Sequence, residues 1–143
     1  MNTHHIKVKS LLLAERNGSE ILVSEGFDDI SQEVFYRFIG GEVEFGESSK
    51  DALIREVLEE TGERIIIDKL FHISESIFTF EGISGHEILF TYKGSFVDER
   101  IIDQNEFWLT ESNGEKIKCI WIDKRIFKSN QLKLVPEDLV GMI

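Results

Sequence analysis

Short apolar runs separated by turn-forming residues mark the first third of the chain and predict β-strands. Residues 6–13 and 20–24 are apolar and β-prone, and residues 16–19 between them read Arg-Asn-Gly-Ser, which is a turn signal. These two strands are therefore expected to pair as a hairpin. A third apolar run over 34–39 predicts another strand, which ends at the glycine pair 40–41.

The next segment has the periodicity of an amphipathic α-helix over residues 48–61. Ser48 is suited to cap its first turn, with Asp51 as a capping-box-like partner, and Gly62 supplies a stop signal. At about 100° per residue, five mostly apolar side chains collect on one side, which is predicted to face the core. These residues are Leu53, Ile54, Val57, Leu58 and Thr61.

Strand patterns dominate the second half of the chain. Residues 64–80 and 86–96 alternate or run apolar, and 81–85 between them indicate the loop of a second hairpin. The acid-rich segment 98–114 is typical of a loop, interrupted by a short strand near 107–109.

A strand over 116–122 and a short terminal helix begun by Pro136 complete the predicted elements. The mix of strands with a central and a terminal helix favours an α/β (α+β) fold, a sheet covered by helices. A length of 143 residues is that of one ordinary domain, so residues 1–143 are expected to form a single domain.

The amino-acid composition bears on whether this is a membrane, secreted or disulfide-bonded protein. No stretch approaches the ~20 apolar residues that span a bilayer, and residues 1–7 have no apolar core of signal-peptide length. Cys119 is the only cysteine, which excludes an intrachain disulfide, and its apolar surroundings indicate a buried, inert thiol. A cytoplasmic location and no membrane contact are the default expectations.

The formal net charge of −11 argues against a nucleic-acid-binding platform, because phosphate backbones are met by clustered Lys and Arg. General solubility is the alternative explanation of this acidity. If the substrate is a phosphate compound, bound cations must supply positive charge that the protein lacks.

Three glutamates of the predicted helix carry the candidate chemistry. Glu56, Glu59 and Glu60 lie at spacings of three and four, on the side opposite the predicted core face, so their carboxylates converge. Like charges at these spacings destabilise a helix, and hard oxygen ligands of this kind suit Mg²⁺ or Mn²⁺. The alternative is a solvated face steadied by ion pairs with Arg55.

The segment before the helix favours the metal site over the solvated face. Gly40-Gly41 permits unusual backbone conformations and lets the backbone approach a ligand closely, which makes both glycines candidate substrate contacts. Eight residues at fixed spacing from Gly41 to Gly62 then resemble the signature of the Nudix hydrolase family. They are Gly41, Glu47, Arg55, Glu56, Val57, Glu59, Glu60 and Gly62.

The resemblance implies the Nudix fold, a mixed β-sheet sandwiched between helices, and a role for each matching residue. Glu56, Glu59 and Glu60 would bind Mg²⁺ or Mn²⁺, with the Gly40 carbonyl as a further ligand. Arg55 would orient the glutamates by ion pairing, and Glu47 would support them without touching the metal.

The family's reaction is the attack of water on a phosphorus of a nucleoside diphosphate linked to another group. A carboxylate must accept the proton of that water, and Glu56 is the first candidate for this step. Some family members take the base from a downstream loop, where Glu106, Glu111 and Glu115 are candidates here. Glu115 is favoured among the three because it lies just before the strand that carries Trp121.

Several other residues have both a functional and a structural interpretation. Arg37 could hold a phosphate through paired hydrogen bonds or form a cross-strand salt bridge. Four aromatic residues could stack on a base, although aromatics in strands are more often core. They are Tyr36, Phe78, Phe80 and Trp108. The histidines His4, His5 and His86 lack a metal-binding pattern and are interpreted as structural or surface residues.

The leading hypothesis is a pyrophosphohydrolase acting on a nucleotide, nucleotide sugar or dinucleotide. A rival is a non-catalytic module that senses a nucleotide metabolite on the same fold. An RNA-end hydrolase is a third hypothesis, disfavoured by the few Lys and Arg residues. The resemblance leaves a homodimer open.

Overall fold

The computed structural model describes residues 4–111 and 113–143, in which the strands divide between two sheets. The strands are β1 (Lys7–Leu13), β2 (Glu15–Arg16), β3 (Glu20–Asp28), β4 (Glu33–Arg37), β5 (Ile39–Glu42), β6 (Ile65–Phe80), β7 (Ile83–Phe96), β8 (Glu106–Thr110) and β9 (Lys116–Asp123). The helices are α1 (Ser49–Thr61) and α2 (Lys124–Lys128), with 3₁₀ turns at Glu99–Ile101 and Glu137–Leu139.

The two sheets give a mixed α+β architecture, as the sequence predicted. One sheet has the order β5-β1-β7-β6, in which β1 runs parallel to β7 and antiparallel to β5. The other has the order β2-β3-β9-β8, with β4 added to β3. None of the helices within residues 4–111 and 113–143 is both long enough and apolar enough to cross a bilayer.

The prediction that β1 pairs with β3 in a hairpin is wrong. The strand that pairs with β3 across the predicted turn is the short β2, whereas β1 belongs to the other sheet and lies between β5 and β7. Both faces of β1 are buried, since Leu12 belongs to the core cluster that includes Val57 of α1, and Leu11 and Leu13 belong to a second cluster that includes Phe127 of α2. Burial on both faces is typical of a strand in the interior of a sheet, which pairs along both of its edges.

The second predicted hairpin is confirmed, with a tighter turn than expected. Strands β6 and β7 pair along their length and are joined by Glu81 and Gly82, both with positive φ (50° and 78°). Two such residues form the turn that matches the natural twist of a hairpin. A buried Asp28 carboxylate accepts the Glu81 backbone N–H at 3.0 Å and thereby ties this turn to the end of β3.

The C-terminal part differs in detail from the prediction. The strand near 107–109 is present as β8, and the terminal helix at Pro136 is a single 3₁₀ turn over Glu137–Leu139. The sequence reasoning missed α2, which begins at an Asp123 cap whose carboxylate accepts the Arg125 backbone N–H. The glycine pair was expected to end a strand, but it lies inside β5.

Candidate active site

The caps predicted for the carboxylate helix are present and fix where α1 begins and ends. Ser48 Oγ accepts the Asp51 backbone N–H at 3.1 Å, and Gly62 ends the helix in the left-handed conformation (φ 76°).

The buried face of α1 differs from the predicted one. Ala52, Leu53 and Val57 are buried, whereas Leu58 is 42% exposed. At about 100° per residue, the arc from Ala52 to Val57 contains Glu56 and Glu60, and Leu58 lies on the far side. Glu56 and Glu60 therefore stand at the edge of the core rather than opposite it, whereas Glu59 is exposed.

Arg55 organises the carboxylates around itself. Its Nε donates to Glu47 Oε2 at 2.7 Å and its Nη2 to Glu47 Oε1 at 2.9 Å, a paired interaction. Its Nη1 donates to Glu56 Oε1 at 2.9 Å and to Glu59 Oε2 at 3.3 Å. These contacts raise the pKa of Arg55, chiefly through the hydrogen bond with Glu47, and lower the pKa of Glu47.

The two glycines of β5 are required by close packing. A Cβ on Gly41 would lie 2.2 Å from the Glu56 carboxyl carbon, and one on Gly40 would lie 1.9 Å from the Ser10 carbonyl oxygen. Gly41 thus leaves room for the Glu56 carboxylate over the strand, whereas Gly40 lets β5 and β1 approach each other.

Glu60 carries the largest electrostatic conflict in the cluster. Burial, followed by the charges of Glu56 and Glu111, raises the pKa of Glu60 to about 8, and Arg37 opposes this rise. A cation beside these carboxylates would remove the conflict.

The carboxylates line a cleft of about 570 Å³ between α1, β5 and the β8–β9 end of the second sheet. Its acidic side chains are Glu42, Glu44, Glu56, Glu59, Glu60 and Glu111, and its cations are Lys9, Arg37 and Arg55. Lys9 is paired with Glu87 at 2.8 Å, and Arg55 is paired as described. Within residues 4–111 and 113–143, the Arg37 side chain has no hydrogen-bond or salt-bridge partner, so the cross-strand salt bridge considered above does not form.

The downstream loop contributes Glu111 to the cleft, whereas Glu115 and Glu106 do not line it. Glu115 is exposed, and its backbone carbonyl accepts the Glu111 N–H at 2.8 Å. Glu106 pairs with Lys118 at 3.3 Å. Glu115 was preferred because it lies just before the strand that carries Trp121. The β8–β9 pairing instead brings Glu111, on the opposite side of the turn, towards α1.

The four aromatic residues proposed for stacking do not line the cleft. Tyr36 is buried and donates to Glu25 at 3.0 Å, Phe78 lies over Gly85, and Phe80 packs edge-on against Phe35. Trp108 is exposed elsewhere on β8.

Phe45, which the sequence reasoning missed, lines the cleft and is fully exposed. The available signal was an aromatic residue placed before the turn glycine Gly46, with a glutamate on either side of the pair.

The remaining predictions concern residues outside the cleft. Cys119 is fully buried as predicted, and burial raises the pKa of its thiol to about 12. His86 pairs with Glu75 at 3.0 Å on the surface of the β6–β7 hairpin. His4 and His5 are exposed near the start of the described chain.

The donor set of the cleft fits a hard divalent cation. In the described part of the chain, no three His, Cys, Asp or Glu side chains are already gathered in a metal-binding arrangement. The carboxylates of Glu56 and Glu60 are close enough to repel each other, and Arg55 engages only one oxygen of Glu56 and one of Glu59. Carboxylate oxygens with free lone pairs are the ligands that Mg²⁺ and Mn²⁺ prefer.

Comparison with known proteins identifies a matching family model and solved structures with the same fold. The family model described as NUDIX domain matches residues 3–133. A MutT protein from Methanosarcina mazei Go1 aligns with TM-score 0.64 and 18% identity, covering 99% of this chain and 93% of that one.

Two further solved structures share the fold. A NUDIX hydrolase from Nitrosomonas europaea aligns with TM-score 0.62 and 19% identity over 96% of this chain and 91% of that one. The E. coli ORF135 protein aligns with TM-score 0.59 and 20% identity over 99% and 91%. At these identities the structural likeness shows the fold alone.

Proposed function

Because the chain belongs to the Nudix hydrolase family, we propose that it cleaves the pyrophosphate linkage of a nucleoside diphosphate derivative with the help of Mg²⁺ or Mn²⁺. The observation that supports this proposal is the convergence of Glu56, Glu59 and Glu60 on one cleft, organised by Arg55 and faced by the unpaired Arg37.

The metal would be held by Glu56, Glu59 and Glu60, with the Gly40 carbonyl as a further ligand. Bound there, it would supply positive charge to the bridging phosphates and acidify a bound water. The charge balance of the cleft supports this part of the proposal, because six acidic side chains face three cations, two of which are already paired.

The chain's own residues provide positioning and proton transfer. Arg37 presents an unpaired guanidinium, which can donate paired hydrogen bonds to phosphate oxygens. Glu47 and Arg55 are positioning residues, since they hold Glu56 and Glu59 in place through the contacts described above. The proton of the attacking water passes to a carboxylate, either Glu56 or Glu111, both of which line the cleft.

A substrate panel tests this proposal. ADP-ribose, NADH, dinucleoside polyphosphates, oxidised dGTP and sugar nucleotides are each incubated with the protein and Mg²⁺ or Mn²⁺, and phosphate-containing products are identified. Glu59→Gln and Glu60→Gln are expected to lower turnover by ~100-fold or more, because a neutral amide binds a hard cation poorly. The matched control is Glu99→Gln, at an exposed glutamate outside the cleft.

The outcome separates the competing hypotheses. Tight binding of a panel compound with no product from any would favour a sensing module, and cleavage of capped RNA but not of free dinucleotides would favour an RNA-end hydrolase. Full activity in both glutamine variants would show that the metal site is wrongly assigned.

A further inference from the structure

One aromatic side chain in the cleft is not packed into the core. Phe45 is fully exposed to solvent, although it lines the same cleft as Glu56 and Glu59. The other aromatic residue of the cleft, Phe38, is 1% exposed and belongs to one of the two buried core clusters. Phe45 is therefore the open aromatic surface among the described residues of the cleft.

The turn that carries Phe45 is held firmly in place. The Glu47 backbone N–H donates to the Glu44 carbonyl at 3.0 Å, and the Glu44 N–H donates to Glu47 Oε1 at 3.2 Å. Gly46 completes the turn with φ 84°, a conformation that suits glycine. The ring is thus presented from a backbone of fixed geometry.

Arg55 couples this turn to the carboxylates. It binds Glu47 through two hydrogen bonds and donates to the Glu42 carbonyl at 3.0 Å, on the other side of Phe45 in the sequence. The same guanidinium binds Glu56 and Glu59. The position of Phe45 relative to the phosphate-cleaving groups is therefore set by one side chain, which lowers the cost of ordering a ligand between them.

An exposed phenylalanine gives the fold no burial energy, and a polar residue in this turn would suit solvent better. A flat heterocyclic base, by contrast, gains from stacking on an aromatic ring whatever its hydrogen-bonding edge, because every base has a π-face. We propose that Phe45 is the stacking platform for the nucleobase of the substrate. This inference rests on the proposed function and specifies that the substrate carries a base outside the metal-binding part of the cleft.

Stacking on one exposed ring also implies weak discrimination among bases, because it reads no hydrogen-bonding edge. We therefore expect ADP, GDP, CDP and UDP to bind with affinities within about tenfold of one another.

Calorimetric titration with ADP and with inorganic pyrophosphate, each with Mg²⁺, tests the proposal. Phe45→Ala is expected to weaken ADP binding by ~10- to 100-fold and to leave pyrophosphate binding within about twofold of wild type. Phe45→Trp should retain ADP affinity, and its added fluorescence should be quenched by ADP and not by pyrophosphate. Phe27→Ala, at an exposed phenylalanine outside the cleft, is the matched control and should change neither affinity.

Several results would overturn the proposal. These are unchanged ADP affinity in Phe45→Ala, an equal loss for ADP and pyrophosphate, or no binding of any of the four nucleoside diphosphates to wild type. The proposed function alone would be rejected if the substrate panel gives no product while Phe45→Ala still weakens ADP binding and leaves pyrophosphate binding unchanged. Hydrolysis of the panel with unchanged ADP binding in Phe45→Ala would reject the stacking role alone.

Discussion

Glu60 is the side chain at which folding and function conflict most directly. Its carboxylate is largely withdrawn from water beside Glu56 and Glu111, and burial and these charges raise its pKa from 4.5 to about 8. Stability alone would not favour a carboxylate at this position. Cation binding would favour one, because the ion removes both the repulsion and much of the desolvation cost.

The stability of the metal-free protein should therefore depend on pH through Glu60. Since its pKa is higher in the folded state, the folded protein binds more protons between pH 4.5 and about 8, so the free energy of unfolding falls as pH rises through this window. With solvent screening allowed for, the Glu60 contribution to this fall is roughly 2–3 kcal/mol.

Urea unfolding in EDTA at both ends of the window, with wild type and Glu60→Gln, measures this contribution. In the glutamine variant, the free energy of unfolding should fall less as pH rises. This variant should therefore be the more stable of the two at the alkaline end. An identical pH profile in the two proteins would contradict the assignment of Glu60 as the conflicted carboxylate.

Arg37 supports a second prediction at the residue scale. Its side chain makes no hydrogen bond or salt bridge within the described residues, and its charge only partly offsets the raised pKa of Glu60, so Arg37→Ala should change stability little. A hydrogen bond to a charged phosphate is worth about 1.5–3 kcal/mol, so kcat/KM should fall by ~10- to 100-fold, mainly through KM. Steady-state kinetics on a cleaved panel substrate measure this change. Arg100→Ala, at an exposed arginine paired with Asp98 outside the cleft, is the control. An unchanged KM in Arg37→Ala would remove Arg37 from the substrate site.

At the scale of elements, the site depends on how closely β5 approaches both α1 and β1. The two adjacent glycines serve different neighbours, since Gly41 faces the Glu56 side chain and Gly40 faces the backbone of Ser10. A side chain can rotate away from an added methyl group, whereas a paired strand cannot move without losing ladder hydrogen bonds.

Alanine at the two glycines should therefore separate activity from stability. Gly41→Ala should displace the Glu56 carboxylate from Arg55 and lower turnover by ~100-fold, with a loss of about 1 kcal/mol or less in unfolding free energy. Gly40→Ala should cost about 2 kcal/mol or more, because the clash is with backbone. Urea unfolding and turnover on both variants test the pair. Full activity in Gly41→Ala would show that the Glu56 position does not matter.

Elements with local signals could be predicted from the sequence, and elements set by distant contacts could not. The Ser48 cap, the Gly62 end of α1 and the β6–β7 hairpin depend on neighbours in the chain, and all three are present as predicted. The position of β1 beside β7 depends on residues about eighty positions away, and no local pattern encodes it. The rotation of α1 was misjudged for a related reason. Glutamates were assumed to face solvent, whereas two of the three stand at the edge of the core.

The same limit applies to the site. The Arg55–Glu47 pairing joins groups eight residues apart and follows from the family signature. The choice of Glu111 over Glu115 and the place of Phe45 in the cleft depend on how the β8–β9 turn and residues 43–46 are arranged around α1. The signature glutamates, Gly40 and Arg37 could be proposed for the site from sequence, whereas these two details required the assembled sheets.

The whole molecule carries 27 acidic and 16 basic residues, and two effects of salt on its stability compete. Salt weakens the surface ion pairs, but exposed pairs contribute only about 0–1 kcal/mol each. Salt also screens the mutual repulsion of a net charge of −11 confined to a small domain, a repulsion that relaxes when the chain expands on unfolding.

We expect the second effect to dominate in metal-free protein. In EDTA, raising NaCl from about 0.02 to 0.5 M shortens the Debye length from roughly 20 to 4 Å, so most of the repulsion between carboxylates is screened. The melting temperature should rise by about 2–5 °C, and the increment should be smaller with saturating Mg²⁺, because the bound ion has already neutralised the densest cluster. Thermal unfolding followed by circular dichroism measures both series. A melting temperature that falls with NaCl would mean that ion pairs such as those around Arg55 outweigh the repulsion, and that the excess of carboxylates is tolerated by the fold without a cation.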